Sequence, residues 1–538
     1  MAKNLEIPLG KRTAGYRFLE ILPGALSYTA VILLFILSWI NPMWGAVYIL
    51  LIVAITLVKA VAVAFRTVQG YKIMKQAEKV NWSKRLDDLA HPHESFQALH
   101  GKEDLSYGFD KHVSNLKKMA VAPSNIYPDP QKIYNAVIMV AYDEGLETLV
   151  PSVEAVRDNT FDNKRIIFVL GYEERGGEAM EKNALELKKR FKDTFYDFLL
   201  VKHPDGIKGE IKGKGPNLTY AGEHLSRYVA KKRLNKENII VTSLDSDNRM
   251  SREYLAYLTY EFVVHEERQR LSYQPVSLFM NNIWDAPAPM RIIAISNSFF
   301  NIIMTMRPHA LRNFASHAQP LKALEAMGFW SKRTIVEDGH QYWRSLFFFK
   351  GDYEVLSIRV PMYQDAVLSD TLGDTLKAQF IQLRRWAYGA SDVAYVGSRL
   401  FDGIMPFWLL FSKFLMLLDG HVTLAVLAPI VAFGGWVPMV MNLSSREMVA
   451  YSLPNIVGIV QTIATIGLMI TIVVSLRMLP ERPKRYKRGK TWSMVLQWFL
   501  MPVVAIVYQS FAAFYSQTRL LIGKYMEKFD VTKKAVKR

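Results

Sequence analysis

Residues 241–250 read VTSLDSDNRM, and the fold turns on how that stretch is understood. With Ile239 and Ile240 it forms an apolar, β-branched run (239–244), which predicts a short buried strand leading straight into Asp245-Ser246-Asp247. Similar runs lie earlier at 136–141 (AVIMVA), 165–170 (RIIFVL) and 195–201, with helical patterns near 146–158, 178–193 and 217–234 between them. Strands alternating with helices predict an α/β domain built on a mostly parallel, Rossmann-like sheet, which binds ligands beyond the carboxyl ends of its strands. Asp245 and Asp247 stand at such an end. Two carboxylates at i and i+2 suit a hard divalent cation that keeps water and takes its other ligands from a diphosphate. Alone, the triplet equally suits a solvated turn.

Outward from this domain the chain becomes apolar. Hydrophobic residues make up 50% of the 538, and their longest runs lie at the two ends. Residues 24–41 and 44–65 are nearly uncharged and close to the roughly 20 residues that cross a hydrocarbon core, so they predict a transmembrane hairpin. A cleaved leader fits poorly, because the second span follows at once with no small-residue cleavage site between them. The net charge of +18 does not point to nucleic acid, since the basic residues cluster beside the apolar runs. Lys3, Lys11, Arg12 and Arg17 precede the first span and Arg66, Lys72, Lys75 and Lys79 follow the second, which assigns both flanks to the cytoplasm. The absence of cysteine excludes disulfides, thiolate catalysis and Cys-ligated metals.

Residues 80–130 lack a sustained period and predict an irregular connector with short helices. Beyond 400 come three apolar stretches: 404–442, interrupted by Lys413, Asp419 and Gly420; 451–476; and 491–523, broken at Pro502. The loop RPKRYKRGK carries six basic residues within 482–490 and belongs in the cytoplasm. That charge favours 404–419 as an interfacial helix, 421–442 and 451–476 as one excursion out and back, and 491–523 as an interfacial or re-entrant element. Counting 404–419 as a full span would instead push the basic loop outside. The expected organisation is thus a tail and hairpin at 1–66, a connector at 67–130, the α/β domain at 131–400, interfacial and transmembrane helices at 401–523, and a basic tail at 524–538.

Three further motifs carry chemistry. In TIVEDGHQYWR, Glu337 and Asp338 precede a helix-like run, and one such carboxylate can act as general base toward an attacking hydroxyl; direct attack inverts the reacting carbon. A helix N-terminus rich in acid is the plain alternative. In QLRRWAYG, Gln382, Arg385 and Trp386 share one helix face, which suits a sugar ring stacked on Trp386 and a phosphate held by Arg385, or else an amphipathic helix snorkelling at the membrane. The tail KFDVTKK, with Phe529, Val531, Thr532 and Lys534, would in isolation be a disordered basic end.

Together and in this order, these features resemble the family 2 glycosyltransferases, in particular the membrane-integrated branch of cellulose synthase and hyaluronan synthase. DSD resembles the family's D-x-D, VED its T-E-D, QLRRW its Q-x-x-R-W, and FDVTKK the F-x-V-T-x-K gating loop of bacterial cellulose synthase. The resemblance covers roughly 130–400, with flanking helices over most of the rest. It implies an A-type glycosyltransferase fold, with Asp245 and Asp247 at the diphosphate of a nucleotide-sugar donor and its Mg²⁺ or Mn²⁺. It makes Asp338 the base, lines the acceptor and diphosphate end with Gln382, Arg385 and Trp386, and closes 529–534 over the loaded site. VAYDEG resembles its P-x-Y-N-E, placing Tyr142, Asp143 and Glu144 near the nucleotide. KGKGPNLTYA resembles its Lys-rich segment, nominating Lys214 for phosphate and Asn217 for a helix start. The sequence departs from the pattern after the second strand, where Glu173 replaces the usual paired aspartate, and at NFASHAQP (313–320), where His317 stands in place of a clear acceptor signature.

The partners implied are a nucleotide-sugar donor, a glycan or lipid acceptor and membrane lipid, with no nucleic acid, at a multi-pass station in the plasma membrane. A transporter or channel would account for Lys413 and Asp419 but not for a large α/β domain with paired acids. A non-catalytic relative draws support from Glu173 alone. The C-terminal helices and FDVTKK favour processive synthesis; the small number of spans keeps brief elongation, single transfer to a lipid, and a homo-oligomer in view.

Overall fold

A computed structural model describes residues 5–123, 125–443 and 448–526. The described chain divides into two compact units, one of residues 5–7, 70–281 and 300–365, the other of 8–69, 282–299, 366–443 and 448–526.

The first unit is built on a mixed eight-stranded sheet. Its strands are β1 (Tyr134–Ala141), β2 (Ile166–Glu173), β3 (Asp197–His203), β4 (Ile239–Asp245), β5 (Arg249–Met250), β6 (Leu271–Leu278), β7 (Ala318–Pro320) and β8 (Glu354–Tyr363), in the order β3-β2-β1-β4-β7-β6-β8-β5. The four strands expected from sequence form the parallel half; β7 runs antiparallel to β4 and β6, and β5 antiparallel to β8. The central residues of β1 and β2 read as unbroken apolar runs, and β4 adds only small Thr242 and Ser243 before Asp245, because helices cover both sides of the sheet. Val137, Met139, Phe168 and Leu170 pack with Leu149, Val153, Ala184 and Leu187 of the helices Leu146–Arg157 and Gly177–Phe191. The alternate residues Ala136, Ile138, Ile167 and Val169 face Leu218, Ala221 and Leu225 of the helix Lys214–Lys231. The later strands escaped sequence reasoning for physical reasons. β7 has three residues, and β6 carries Pro275, which cannot donate to a ladder and marks a register shift between Pro275 and Val276 against β8.

The connector is more ordered than its composition suggests. It forms the helices Trp82–Asp88, Pro92–Leu99 and Phe109–Val121, and Trp82 stacks on Tyr257 with ring centroids 3.5 Å apart. Burying two flat aromatic faces against each other fixes this segment without any long-period pattern.

The second unit is helical. Among the described residues five helical stretches are long and apolar enough to cross a membrane: Ala14–Ile40, Pro42–Ala77, Phe407–Met441, Ala450–Met478 and Gly489–Leu521. Asn41 separates the first two; its extended backbone ends one helix, its Oδ1 accepts the Met43 N–H at 2.7 Å, and Pro42 opens the next. The expected break between 404–419 and 421–442 does not occur, because the helix Phe407–Phe433 runs unbroken through Asp419 and Gly420. A single glycine costs a helix only about 1 kcal/mol, and the turn comes later, at the 3₁₀ segment Gly434–Trp436. The last stretch is irregular around Pro502, as its sequence predicted, with a 3₁₀ turn at Gln497–Leu500 and a π segment at Ala505–Ser510. Its final helix, Phe511–Leu521, packs on Ala14–Ile40: Arg17 donates to the carbonyls of Leu520 and Leu521 at 2.5 and 2.6 Å, capping a helix C-terminus with a cation.

Candidate active site

In the first unit the chain lays down β1, steps outward through β2 and β3, and returns with β4 on the other side of β1. Such a reversal opens a crevice at the carboxyl ends of β1 and β4. Register places Asp245 opposite Val140, so the residues just past β1 lie beside the Asp-Ser-Asp triplet. Glu144 joins the two strand ends. Its Oε2 accepts the Tyr142 N–H at 2.7 Å and its Oε1 accepts the Ser246 hydroxyl at 2.9 Å. Burial pushes the Glu144 carboxyl up, and those two hydrogen bonds act against the rise.

Beyond β2, Glu173 is buried and paired with Arg175, whose Nε donates at 2.8 Å. Burial raises the Glu173 carboxyl while Arg175 pulls it back down. The Arg175 guanidinium in turn lies over the Tyr142 ring, 4.7 Å from its centroid. Gly176 permits this approach, since a Cβ there would lie 2.0 Å from the Tyr142 carbonyl oxygen. Asp143, between Tyr142 and Glu144, is exposed at the rim.

The centre of the site is Lys214. The helix it opens begins at Lys214 rather than at the expected Asn217, because Pro216 is tolerated in a first turn whose N–H groups have no helical acceptor. Asn217 serves instead as a bridge, its Nδ2 donating to the Gly171 carbonyl at 3.1 Å. The Lys214 side chain is 10% exposed, and its Nζ lies 2.7 Å from Asp245 Oδ1, 2.8 Å from Asp338 Oδ2 and 3.4 Å from Glu337 Oε1. Burial opposes the ammonium's charge, but the three carboxylates outweigh it and hold the group well above the ordinary lysine range. Glu337 and Asp338 sit in the first turn of the helix Glu337–Phe348, where the macrodipole also favours them, so the plain reading and the chemical one coincide.

Asp338 keeps one oxygen uncommitted: its buried Oδ1 accepts no hydrogen bond among the described residues and lies 3.7 Å from His317 Nδ1. His317 is fully buried between two fixed partners. Its Nδ1 lies 2.9 Å from the Phe314 carbonyl and its Nε2 lies 3.1 Å from the Trp330 indole nitrogen. An indole can only donate, so Nε2 is the acceptor and the proton sits on Nδ1, giving a neutral imidazole. Burial lowers the His317 pKa in the same sense. The ring is thus a core residue, as a lone histidine usually is, yet one that borders Asp338.

Asp247 is buried and tied to the neighbouring segments. Its Oδ2 accepts the Asp365 N–H at 3.1 Å and its carbonyl accepts Asn281 Nδ2 at 3.0 Å. Among the described residues no group of three or more His, Cys, Asp or Glu is arranged to hold a metal ion. Two aspartates at a strand end fit a cation that completes its shell from phosphate and water, and they do not make an all-protein cage.

Gln382, Arg385 and Trp386 lie on the helix Leu372–Ala387 of the second unit. Gln382 is buried and accepts from Gln379 Nε2 at 3.1 Å, while Arg385 is half-buried and Trp386 partly exposed. Phe529, Val531, Thr532 and Lys534 fall outside the described residues. Sequence reasoning missed Arg175, Ser246, Trp330 and Gly215, whose roles come from tertiary contacts; only the Lys-Gly-Pro string at 214–216 hinted at a close approach.

A family model described as "Glycosyl transferase family group 2" matches residues 240–515, just over half of the 538-residue chain. No curated protein matches. Among solved structures, the mannosyltransferase PcManGT from Pyrobaculum calidifontis in complex with GDP-Man and Mn²⁺ is similar, with 15% identity, a TM-score of 0.43, and coverage of 82% of this chain and 99% of that one. GalNAc-T7 with UDP, GalNAc and Mn²⁺ follows at 11% identity and TM-score 0.32, covering 56% and 59% of the two chains. TarS 1–349 of S. aureus has 11% identity and TM-score 0.30, covering 73% and 93%.

Proposed function

This chain belongs to glycosyl transferase family group 2 and is a glycosyltransferase; from that premise we propose that it is an inverting membrane enzyme moving a sugar from a nucleotide-sugar donor to a glycan or lipid-linked acceptor. The observation that carries this reading is the convergence of Asp245, Glu337 and Asp338 on the single ammonium of Lys214. It joins the end of β4 to the first turn of the acid-bearing helix, so that a diphosphate group and a base have one shared neighbour.

Asp338 is the base. Its carboxylate takes the proton of the acceptor hydroxyl as the new bond to the anomeric carbon forms and the bond to the diphosphate oxygen breaks; one displacement inverts that carbon. Neutral His317, donating its only N–H to Phe314, offers Asp338 no proton. Lys214 exchanges carboxylate contacts for phosphate oxygens when the donor is present. Asp245 and Asp247 would hold Mg²⁺ or Mn²⁺, which supplies charge neutralisation for the departing nucleoside diphosphate. Tyr142, Asp143, Glu144 and Glu173 line the donor side with Arg385, Gln382 and Trp386 receive the acceptor, and Phe529, Val531, Thr532 and Lys534 form a gating segment. The five apolar helices and the basic flanks support a cell-membrane station with the catalytic unit in the cytoplasm, on the pattern of cellulose and hyaluronan synthases.

The test is direct. Full-length protein in detergent is offered radiolabelled nucleotide-sugars with Mg²⁺ or Mn²⁺, beside Asp338→Asn. The variant is expected to lose transfer by roughly a hundredfold to ten-thousandfold while still binding donor. Transfer at the wild-type rate by Asp338→Asn would remove the base from the scheme.

A further inference from the structure

The residues ahead of the first membrane helix do not trail away from the catalytic unit. Leu5 packs against the hydrophobic cluster that includes Leu321 and Trp330, and Ile7 is 8% exposed. Between them Glu6 makes two contacts with one carboxylate. Its Oε2 accepts the Ser331 hydroxyl at 2.6 Å, and its Oε1 lies 3.2 Å from Nη1 of Arg344, a guanidinium only 2% exposed. The Ile7 carbonyl accepts from Arg333 at 3.4 Å.

Both partners of Glu6 bear on the acids of the site. Ser331 belongs to the segment running into Glu337 and Asp338, and its carbonyl is the atom that a Cβ on Gly215 would strike, at 2.3 Å. Arg344 stands seven residues after Glu337 on the same helix, two turns along and on the same face. The helix is therefore held at two points on one side, by Lys214 at its first turn and by Glu6 two turns on. A rotation that withdrew Glu337 and Asp338 from Lys214 would also pull buried Arg344 away from the Glu6 carboxylate.

We propose that Glu6 is a positioning residue for sugar transfer: the tail at 5–7 clasps the Ser331 segment and the Arg344 end of the helix, and so fixes the angle at which Asp338 meets the acceptor hydroxyl. This role rests on the reading of Asp338 as the base. It assigns a catalytic consequence to a stretch that composition marks only as the cytoplasmic lead-in to a membrane span.

The experiment uses the full chain in detergent, with Glu6→Ala, Glu6→Gln and Ser331→Ala. Hydrogen exchange needs no knowledge of the donor: peptides covering 331–345 are expected to exchange about fivefold faster in Glu6→Ala, with 166–173 unchanged. Nucleoside diphosphate release from a panel of UDP-glucose, UDP-N-acetylglucosamine and GDP-mannose is expected to show kcat down about tenfold at an unchanged donor KM. Glu6→Gln and Ser331→Ala, each sparing one contact, fall between wild type and Glu6→Ala. Unchanged exchange over 331–345 overturns the clasp, as does faster exchange spread over the whole unit with a lowered melting temperature. Asp338→Asn run alongside separates the two failures: transfer retained by Asp338→Asn overturns the base and this role together, whereas transfer lost there but kept in Glu6→Ala overturns the clasp alone.

Discussion

Gly215→Ala adds one methyl group where the helix Lys214–Lys231 meets the segment leading into Glu337 and Asp338. A Cβ at 215 would stand 2.3 Å from the Ser331 carbonyl oxygen and 3.2 Å from the Glu337 Cβ. Real Cβ contacts stay beyond 3.0 Å, so the gap must open from 2.3 to 3.0 Å, a shift of about 0.7 Å, and the yielding atom is backbone. Two consequences separate in size. Overpacking costs stability about 1–3 kcal/mol, which the unit can absorb. A displacement approaching 1 Å between catalytic groups costs up to about a hundredfold in rate, so kcat is expected to fall by between about tenfold and a hundredfold. The assay is steady-state release of nucleoside diphosphate, read beside thermal unfolding. Gly339→Ala is the control: it lies beside Asp338 in the same first turn, yet a Cβ there meets nothing within 4 Å. Gly215→Ala with kcat within about twofold of wild type would refute the claim that this contact sets the distance between Lys214 and the acids.

Two other outcomes follow from the same geometry. Chelator is expected to reduce nucleoside diphosphate release to background and added Mn²⁺ or Mg²⁺ to restore it; release that persists unchanged in chelator sinks the metal role of Asp245 and Asp247. For His317, burial lowers the folded pKa below the unfolded value of about 6.5, so below that pH the unfolded chain takes up a proton that the folded chain refuses. Stability from this residue is therefore complete above about pH 6.5 and lost as pH falls, at up to about 1.4 kcal/mol per pH unit. Denaturant melts should show the advantage of wild type over His317→Gln shrinking on acidification, and a difference independent of pH would contradict the buried, neutral ring.

The sequence made half of the sheet legible and obscured the other half, for reasons of chemistry. β1 and β2 are apolar through their central residues, and β4 carries only small Thr242 and Ser243 before Asp245, because both faces are covered, and that pattern needs no partner to be recognised. β7 draws its identity from Thr242 and Tyr273 across the ladder, not from its own three residues. The acids of the site are legible as motifs, and the resemblance alone nominates Lys214 for phosphate; its service as their common counter-ion is not legible, because composition does not distinguish it from Lys208 or Lys212 until the helix it opens brings it to Asp245 at the end of β4. Lys212 instead pairs with exposed Asp205 at the surface. Likewise Gly420 looked like a helix break, yet the helix passes through it with open space at its Cα.

The ion cluster around Lys214 also has an arithmetic of sign. Asp245, Glu337 and Asp338 contribute three negative charges against one positive, so the resting crevice is an anion in its own right. Like charges a few ångströms apart in such a setting repel by about 4 kcal/mol. On the proposed reading, a bare nucleoside diphosphate is expected to be repelled and one already chelated to a divalent ion to be accepted, so that the cluster would sort ligands by their ionic company before any sugar is inspected.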